Sequence, residues 1–403
     1  MIDHSFKPSH SDLLLGIAAV EKVTHQSPSP GLPKKFPPNG LGERKTIEVL
    51  GPIALGKATQ LGAPLAFAHM DPPTPWITWI TTLWNASLNQ NLLHPDVSPV
   101  ARDFEKLAID WLCPYFGMDG GHMTPGSTLS NLTALWVARD LANINTVVAS
   151  DAAHISIQKS ARILGLKFQP VKTDENGSLD KSALPRRLSN CCLVLTAGTT
   201  SSGAIDSLDL TKKASWTHVD GAWAGPLRIS AKYRYLLDGI QNADSVSVSG
   251  HKWFFQPKES GILFFKDSEK AHKTISSSAE YLTADNVGLL GSRGAIGLPL
   301  LATLISWGIN GLSERLEKCM ILAEGLYNFL STADVFLYAP PITGVVLWRP
   351  RDGSSTRTVF KRLPSGSASL TNLNGCQWIR HVAANPQLDK STLISEIKES
   401  LRN

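Results

Sequence analysis

The sequence predicts an α/β protein, with a large domain built on a mainly parallel β-sheet and a small C-terminal α+β domain. Three observations carry this. From about Gly120 to Asp267, short apolar runs alternate with helical stretches, the rhythm of successive βαβ units. Beyond about residue 290 the pattern changes to a long amphipathic helix, paired strands and a closing helix. The chain has 403 residues, of which 42% are hydrophobic and 18% charged, enough to bury more than one large core.

Residues 1–63 read as an N-terminal arm or linker, because the stretch QSPSPGLPKKFPP at 26–38 carries five prolines that continue neither helix nor central strand. The apolar run at 13–20 lies between Asp12 and Glu21; it is too short to cross a bilayer and lacks the basic flank of a signal peptide. Residues 64–290 form the large domain. Ser98 and Pro99 predict a helix start, with Ser98 as N-cap and Val100, Phe104, Leu107, Ala108 and Trp111 on one face. Helices follow near 130–141 and 155–164. Strands are expected at 146–149, 168–171, 192–196, 216–219, 245–248 and 261–265. Residues 291–403 form the small domain, with a helix at 313–330, strands at 335–338, 344–348 and 378–382, and two further helices.

Lys plus Arg number 39 and Asp plus Glu 34, so the net charge of +5 is spread thinly without a basic run, which argues against a nucleic-acid partner. The five cysteines show neither CxxC nor zinc spacing, so no metal is expected; reduced thiols in a soluble cytoplasmic protein are, with no membrane partner.

The chemistry concentrates at strand ends. In SVSVSGHKWFF (245–255), Lys252 follows a Ser/Val strand and a Ser-Gly turn, where partial desolvation favours a neutral, nucleophilic amine; the plain alternative is a loop lysine in solvent. In HVDGAWAG (218–225), Asp220 ends an apolar run, and a carboxylate there can keep a pyridinium nitrogen protonated, turning pyridoxal phosphate into an electron sink; alone it would read as a helix cap. TPGSTLSN (124–131) is a small-residue turn opening a helix, an N-cap that also offers free amide N–H groups and the Ser127 and Thr128 hydroxyls to a phosphate. His154, in DAAHISIQKSA, is placed either to lie flat on a cofactor ring or to be a satisfied core histidine.

With these motifs in order, the chain resembles the group II pyridoxal-phosphate decarboxylases, the glutamate, aromatic amino acid, cysteine sulfinate and diaminobutyrate decarboxylases. NQNLLHPDVSPVARDFE, GTTSSGAID and WIRHVAANP extend the likeness from about Pro64 to Ile397. The resemblance implies the aspartate aminotransferase-type fold (fold type I) and a homodimer with active sites at the subunit interface. It further implies that Lys252 carries the cofactor, Asp220 meets the pyridine nitrogen, His154 stacks on the ring and Ala222 packs on its other face. Ser127, Thr128, Ser249 and His251 match phosphate-binding positions, Thr200 a residue near the ring hydroxyl, and Ser292 a position that in some relatives reaches the phosphate from the other subunit. Tyr281, in SAEYLT, matches a mobile-loop tyrosine that protonates the substrate carbon, with 276–290 as the lid; otherwise it is an exposed tyrosine. Arg380 matches an arginine that holds the substrate carboxylate; otherwise it is a surface arginine on an edge strand.

The function implied is α-decarboxylation of an L-amino acid to an amine and carbon dioxide. Related alternatives are a carbon–carbon lyase, a decarboxylating aldehyde synthase, or an inactive scaffold of the same fold. Asp71 in FAHMD and Asn91 and His94 in NQNLLH stand where aromatic amino acid decarboxylases have an apolar surface, so a polar substrate such as a diamino acid is favoured, with no lysine or arginine between Lys57 and Arg102 to hold an acidic one. Asp71 also suits a turn cap before Pro72.

Overall fold

The structure, a computed structural model, describes residues 8–21, 32 and 34–402. Residues 26–31 and 33 of the proline-rich stretch lie outside the described residues. The chain forms two compact units divided after Gln60. In the first, α1 (His10–Glu21) and α2 (Glu43–Ala54) are joined by an exposed Arg44–Asp12 ion pair at 2.8 Å, and neither helix buries a residue.

The second unit begins with α3 (Trp76–Leu88) and α4 (Ala101–Phe116). The large sheet and its helices follow as β1 (Gly120–Thr124), α5 (Ser127–Ala142), β2 (Thr146–Ser150), α6 (Ile155–Ile163), β3 (Lys167–Val171), β4 (Cys191–Thr196), β5 (Trp216–Asp220), β6 (Ser245–Ser249), β7 (Gly261–Phe265) and α7 (Ser268–Thr274). A two-stranded ladder, β8 (Ser276–Ser277) with β9 (Asn286–Val287), precedes α8 (Gly297–Leu330). The chain closes with β10 (Val335–Leu337), β11 (Val345–Pro350), α9 (Thr356–Arg362), β12 (Ser369–Leu373), β13 (Cys376–Val382) and α10 (Lys390–Arg402).

The large sheet has strand order β1-β7-β6-β5-β4-β2-β3. Strands β2 to β6 run parallel, and β7 lies antiparallel to both neighbours. Register brings the carboxyl ends of the central strands level, with Thr196 beside Asp220 and Asp220 beside Ser247. A parallel sheet covered on both faces by helices buries its strands entirely, as every residue of β4, β5 and β6 is buried. Ligands of such sheets bind beyond the carboxyl ends. The smaller sheet, β10-β11-β13-β12, is antiparallel.

Several local expectations change. Ser98 does not cap α4: it closes a turn onto the carbonyls of His94 and Pro95, the helix begins three residues later behind Val100, and the Ser98 hydroxyl, which would have had to accept from a helix amide, is buried without a partner. The helix expected at 313–330 starts at Gly297, with a break at Gly308 (φ 59°, ψ −176°), a conformation glycine adopts without steric penalty. Strand β13 is central rather than an edge, which buries Arg380. Among the described residues no helix is long and apolar enough to cross a membrane, and no cluster of metal-ligating side chains occurs.

Candidate active site

One cavity of about 370 Å³ opens at the carboxyl ends of β4, β5 and β6 against the start of α5. Its lining includes Ser127, Thr128, His154, Thr200, Asp220, Ala222, Ser249, His251 and Lys252.

Strand β6 alternates Ser and Val, yet both of its faces are buried. Val246 and Val248 enter the main hydrophobic core, while the serines form a polar seam toward β5 and α5. The last of them, Ser249, lies 2.6 Å from Ser127 Oγ at the first turn of α5. No side chain caps that helix end, so its first amide N–H groups and these two hydroxyls are a ready seat for a dianion. The turn needs glycine: Gly126 has φ 153°, and a Cβ on Gly261 would come within 2.6 Å of the Gly126 backbone.

Beyond Ser249 the chain turns at Gly250 and presents Lys252 to the cavity. Burial is the main cause holding the Lys252 ammonium below its usual pKa, and Lys258 and Arg380 act in the same direction; Asp220 and Asp71 oppose them. The turn is clamped at its exit, where Phe255, at φ 58°, donates its amide to the Lys252 carbonyl at 2.8 Å. Burial also pushes the neighbouring His251 down to about 4; its Nδ1–H donates to the Ser260 carbonyl at 2.9 Å.

Asp220, 3% exposed, ends β5. Its Oδ2 accepts from Asn131 Nδ2 at 2.9 Å and its Oδ1 from the Ala222 amide at 3.1 Å. The tryptophans that follow the two key residues anchor their loops. The rings of Trp223 and Trp253 lie 4.1 Å apart, and their indole N–H groups donate to the carbonyls of Thr343 and Ala383. His154 caps α6, its Nδ1 accepting from the Ser156 amide at 3.2 Å; burial of part of the ring lowers its pKa.

The remaining candidates stand apart from this lining. Tyr281 is 71% exposed, between β8 and β9. Ser292 accepts from Asn91 Nδ2 at 3.1 Å, so these two residues meet each other rather than the cavity. His94 belongs to the turn before α4, where its carbonyl accepts from the amides of Val97 and Ser98. Asp71 pairs with Lys258, a cation that the sequence reading did not connect to it. Arg380, 6% exposed, donates from Nη1 to the Ala68 carbonyl at 3.2 Å and to Ser369 Oγ at 3.3 Å, and its Nε has no partner. Burial pushes its pKa down to about 10, which leaves it a cation at neutral pH.

The donor set fits pyridoxal phosphate. A helix N-terminus with two hydroxyls suits the phosphate, a desolvated amine suits the carbonyl, and a buried carboxylate suits the ring nitrogen. Thr196 Oγ1, buried in the cavity wall beside Asp220, has no hydrogen-bond partner and is free for a ligand. Sequence reasoning missed Thr196 and Asn131. Asn131 lies inside the motif TPGSTLSN, and the available signal was the one carboxamide among the hydroxyl-bearing and aliphatic side chains that α5 buries.

A profile of the pyridoxal-dependent decarboxylase conserved domain matches residues 53–349. The L-2,4-diaminobutyrate decarboxylase of Acinetobacter baumannii is 31% identical over 290 residues, covering 61% of this chain and 56% of that protein. The aromatic-L-amino-acid decarboxylase of Bacillus atrophaeus is 28% identical over 367 residues, covering 81% of this chain and 76% of that one. The chain thus spans little more than half the length of the first of these relatives and about three quarters of the second. In fold, the crystal structure of mouse CSAD superposes with a TM-score of 0.86 at 22% identity, covering 97% of this chain and 98% of that chain. A lysine and an aspartate at adjacent strand ends, facing a phosphate seat, are what pyridoxal phosphate requires, and the profile match spans most of the chain: it belongs to the pyridoxal-dependent decarboxylase family.

Proposed function

We propose that the chain is a pyridoxal-phosphate-dependent carboxy-lyase that converts an L-amino acid to its amine and carbon dioxide. The observation that carries this reading is the convergence of the buried Lys252 amine and the Asp220 carboxylate on one cavity beside a helix N-terminus. The bound cofactor supplies an electron sink for the pair released when the carboxyl bond breaks. Burial of Lys252 favours its neutral amine, the form that attacks a carbonyl carbon. Asp220 stabilises a protonated ring nitrogen. His154 covers one ring face, and Ala222 leaves the other open because its side chain is a single methyl.

Arg380 orients the substrate carboxylate. An ion pair to a group that departs as neutral carbon dioxide stabilises the ground state more than the transition state, so the contribution of Arg380 lies in geometry. Tyr281 returns a proton to the substrate carbon, which requires the 276–290 segment to fold over the cavity.

The functional unit is a homodimer in the cytoplasm. Trp76, Trp79, Trp84 and Leu88 on α3 are 68%, 54%, 51% and 63% exposed, an apolar surface that suits a second copy. The five free thiols suit a reducing compartment.

The substrate side chain is polar, with a diamino acid first. Asp71 supports this as an anion close enough to act on both Lys252 and Arg380. The Lys258–Asp71 pair favours a second reading, an acidic substrate held by Lys258; that pair is largely exposed and worth at most about 1 kcal/mol, so either partner can be given up to a substrate. The test is carbon dioxide release across diaminobutyrate, ornithine, aspartate, glutamate and an aromatic amino acid. Fastest release from diaminobutyrate or ornithine supports the diamino-acid reading, and fastest release from aspartate or glutamate favours the second reading. Preference for the aromatic amino acid would refute a polar pocket, and release from none would refute the carboxy-lyase itself.

A further inference from the structure

Asn131 lines the cavity and makes more side-chain hydrogen bonds than the cofactor-facing groups it supports. It is 1% exposed, in the first turns of α5. Its Nδ2 donates to Asp220 Oδ2 and to Ser156 Oγ, both at 2.9 Å. Its Oδ1 accepts from Ser247 Oγ at 2.6 Å and lies 3.0 Å from His218 Nε2. His218 Nδ1 lies 2.9 Å from Ser245 Oγ, which accepts from Trp216 Nε1 at 3.0 Å.

Both ends of this chain of bonds have a fixed polarity, which settles every proton between them. A carboxylate only accepts and an indole N–H only donates. Asp220 therefore requires the amide NH₂ of Asn131 on its side, and the amide oxygen must face His218. That oxygen needs the His218 proton on Nε2, so Nδ1 accepts from Ser245, whose oxygen in turn accepts from Trp216. Burial keeps His218 down at about 4, hence neutral, as this pattern demands. On the other branch, Ser156 Oγ accepts from Asn131 and passes its own proton to His154 Nδ1 at 2.8 Å, which leaves the His154 proton on Nε2.

We propose that Asn131 is a positioning residue that joins Asp220 and His154 into one unit, aiming the carboxylate at the ring nitrogen of the cofactor and fixing the tautomer of the stacking histidine. The proposal rests on the reading that this cavity holds pyridoxal phosphate. The titratable groups reached by the hub directly or through one hydroxyl are His218, Asp220 and His154; beyond them, Lys252 and Asp206 act on Asp220.

The experiment strips the wild-type chain and three variants of cofactor and titrates each with pyridoxal phosphate, reading the dissociation constant and the visible spectrum from about pH 6 to about pH 9. Asn131→Leu, which has the same size but no polar atoms, should bind at least about tenfold more weakly at every pH, since it strips a donor from a buried carboxylate. Asn131→Asp should carry a pH signature. The introduced acid lies buried against the Asp220 carboxylate, which favours its protonated form, so at low pH it still donates and binding stays near wild type; as pH rises and the introduced acid ionises, binding should fall by about tenfold relative to wild type. Ser156→Ala, which cuts the branch to His154 alone, should weaken binding by about threefold.

A wild-type pH profile for Asn131→Asp, or wild-type affinity for Asn131→Leu, would overturn the proposal; wild-type affinity for Ser156→Ala would overturn its His154 branch. Should Asn131→Leu fail to fold, the two remaining variants, which change few atoms, still decide. Failure of the wild-type chain to bind pyridoxal phosphate would overturn the cofactor reading and this proposal together, whereas wild-type binding with unaltered variants would overturn this proposal alone.

Discussion

The floor of the cavity and the candidates that stand apart from its lining are built in opposite ways. On the floor, Lys252, Asp220, Ser127 and Ser249 sit at strand ends and a helix start of one sheet, each with defined backbone or side-chain partners. Away from the lining, Tyr281 stands 71% exposed on a loop held by a two-residue ladder, Asn91 and Ser292 bond each other, and Asp71 pairs with the exposed Lys258. The difference teaches where rigidity is needed. Groups that set charge on a cofactor work by being fixed before the reaction, while groups that close over a substrate must move. A buried polar floor is costly where a bond is left unmade; the serines and histidines here are paired, and Thr196 Oγ1 is a buried lining hydroxyl left without a partner.

Substitutions on the floor should therefore do far more than substitutions at the outlying candidates. Lys252→Ala should lower turnover by about 10⁴-fold or more while retaining part of the cofactor through the phosphate seat and His154. Steady-state turnover and cofactor content check this; turnover within tenfold of wild type would break the comparison at its strongest point. Tyr281→Phe should slow amine formation by about 10²-fold with substrate binding nearly unchanged, because the hydroxyl acts only after carbon dioxide leaves. An unaltered rate of amine formation would remove Tyr281 from the mechanism. Asp71→Asn should shift the ratio of kcat/KM for diaminobutyrate over aspartate by about tenfold or less, toward the acidic substrate. A shift toward the diamino acid would reverse the charge argument.

A fourth outcome concerns stability. His218 and His381 are wholly buried and held down at about 4, and His251 is also at about 4. Between about 4 and the ordinary histidine value near 6.5 the unfolded chain binds more protons than the native one, so stability should fall as pH drops through that window. Asp206, buried and raised to about 6, acts the other way: its native form holds a proton that the unfolded form has lost. Three histidines outweigh one carboxyl, so urea midpoints should decline from about pH 6.5 downward. A midpoint that rises in acid would contradict the neutral polar floor.

How much of this was legible in the sequence differs by region for a physical reason. The βαβ rhythm and the motifs around Asp220, Lys252 and Ser127 are local, and backbone geometry at a strand end carries them into one cavity without further information. The five-residue strands β1 and β12 were missed because their patterns are weak, and so was the 13-residue α3, which buries only Thr78 and Thr81 and so lacks an apolar buried stripe. The Ser98 cap failed because residues 94–98 close into a turn and the helix starts only at Ala101, leaving the Ser98 hydroxyl without a helix amide to accept from. Asn131 and Thr196 were overlooked although both stand in or beside quoted segments; a single polar residue on a buried face announces itself only once the facing strand is known. Lys258 was invisible as a partner of Asp71 because the two are joined by tertiary contact alone. The α3 surface, where Trp76, Trp79 and Trp84 are exposed, was not singled out in the sequence.

The central claim is that Lys252 holds the cofactor in a cavity floored by Asp220. The most direct measurement is borohydride reduction of the protein loaded with pyridoxal phosphate, followed by peptide mapping by mass spectrometry. The account expects the reduced pyridoxyl group on the peptide containing Ser249, His251 and Lys252, attached at Lys252, and lost in Lys252→Ala. Attachment at another lysine, such as Lys258, with Lys252 unmodified, would contradict it.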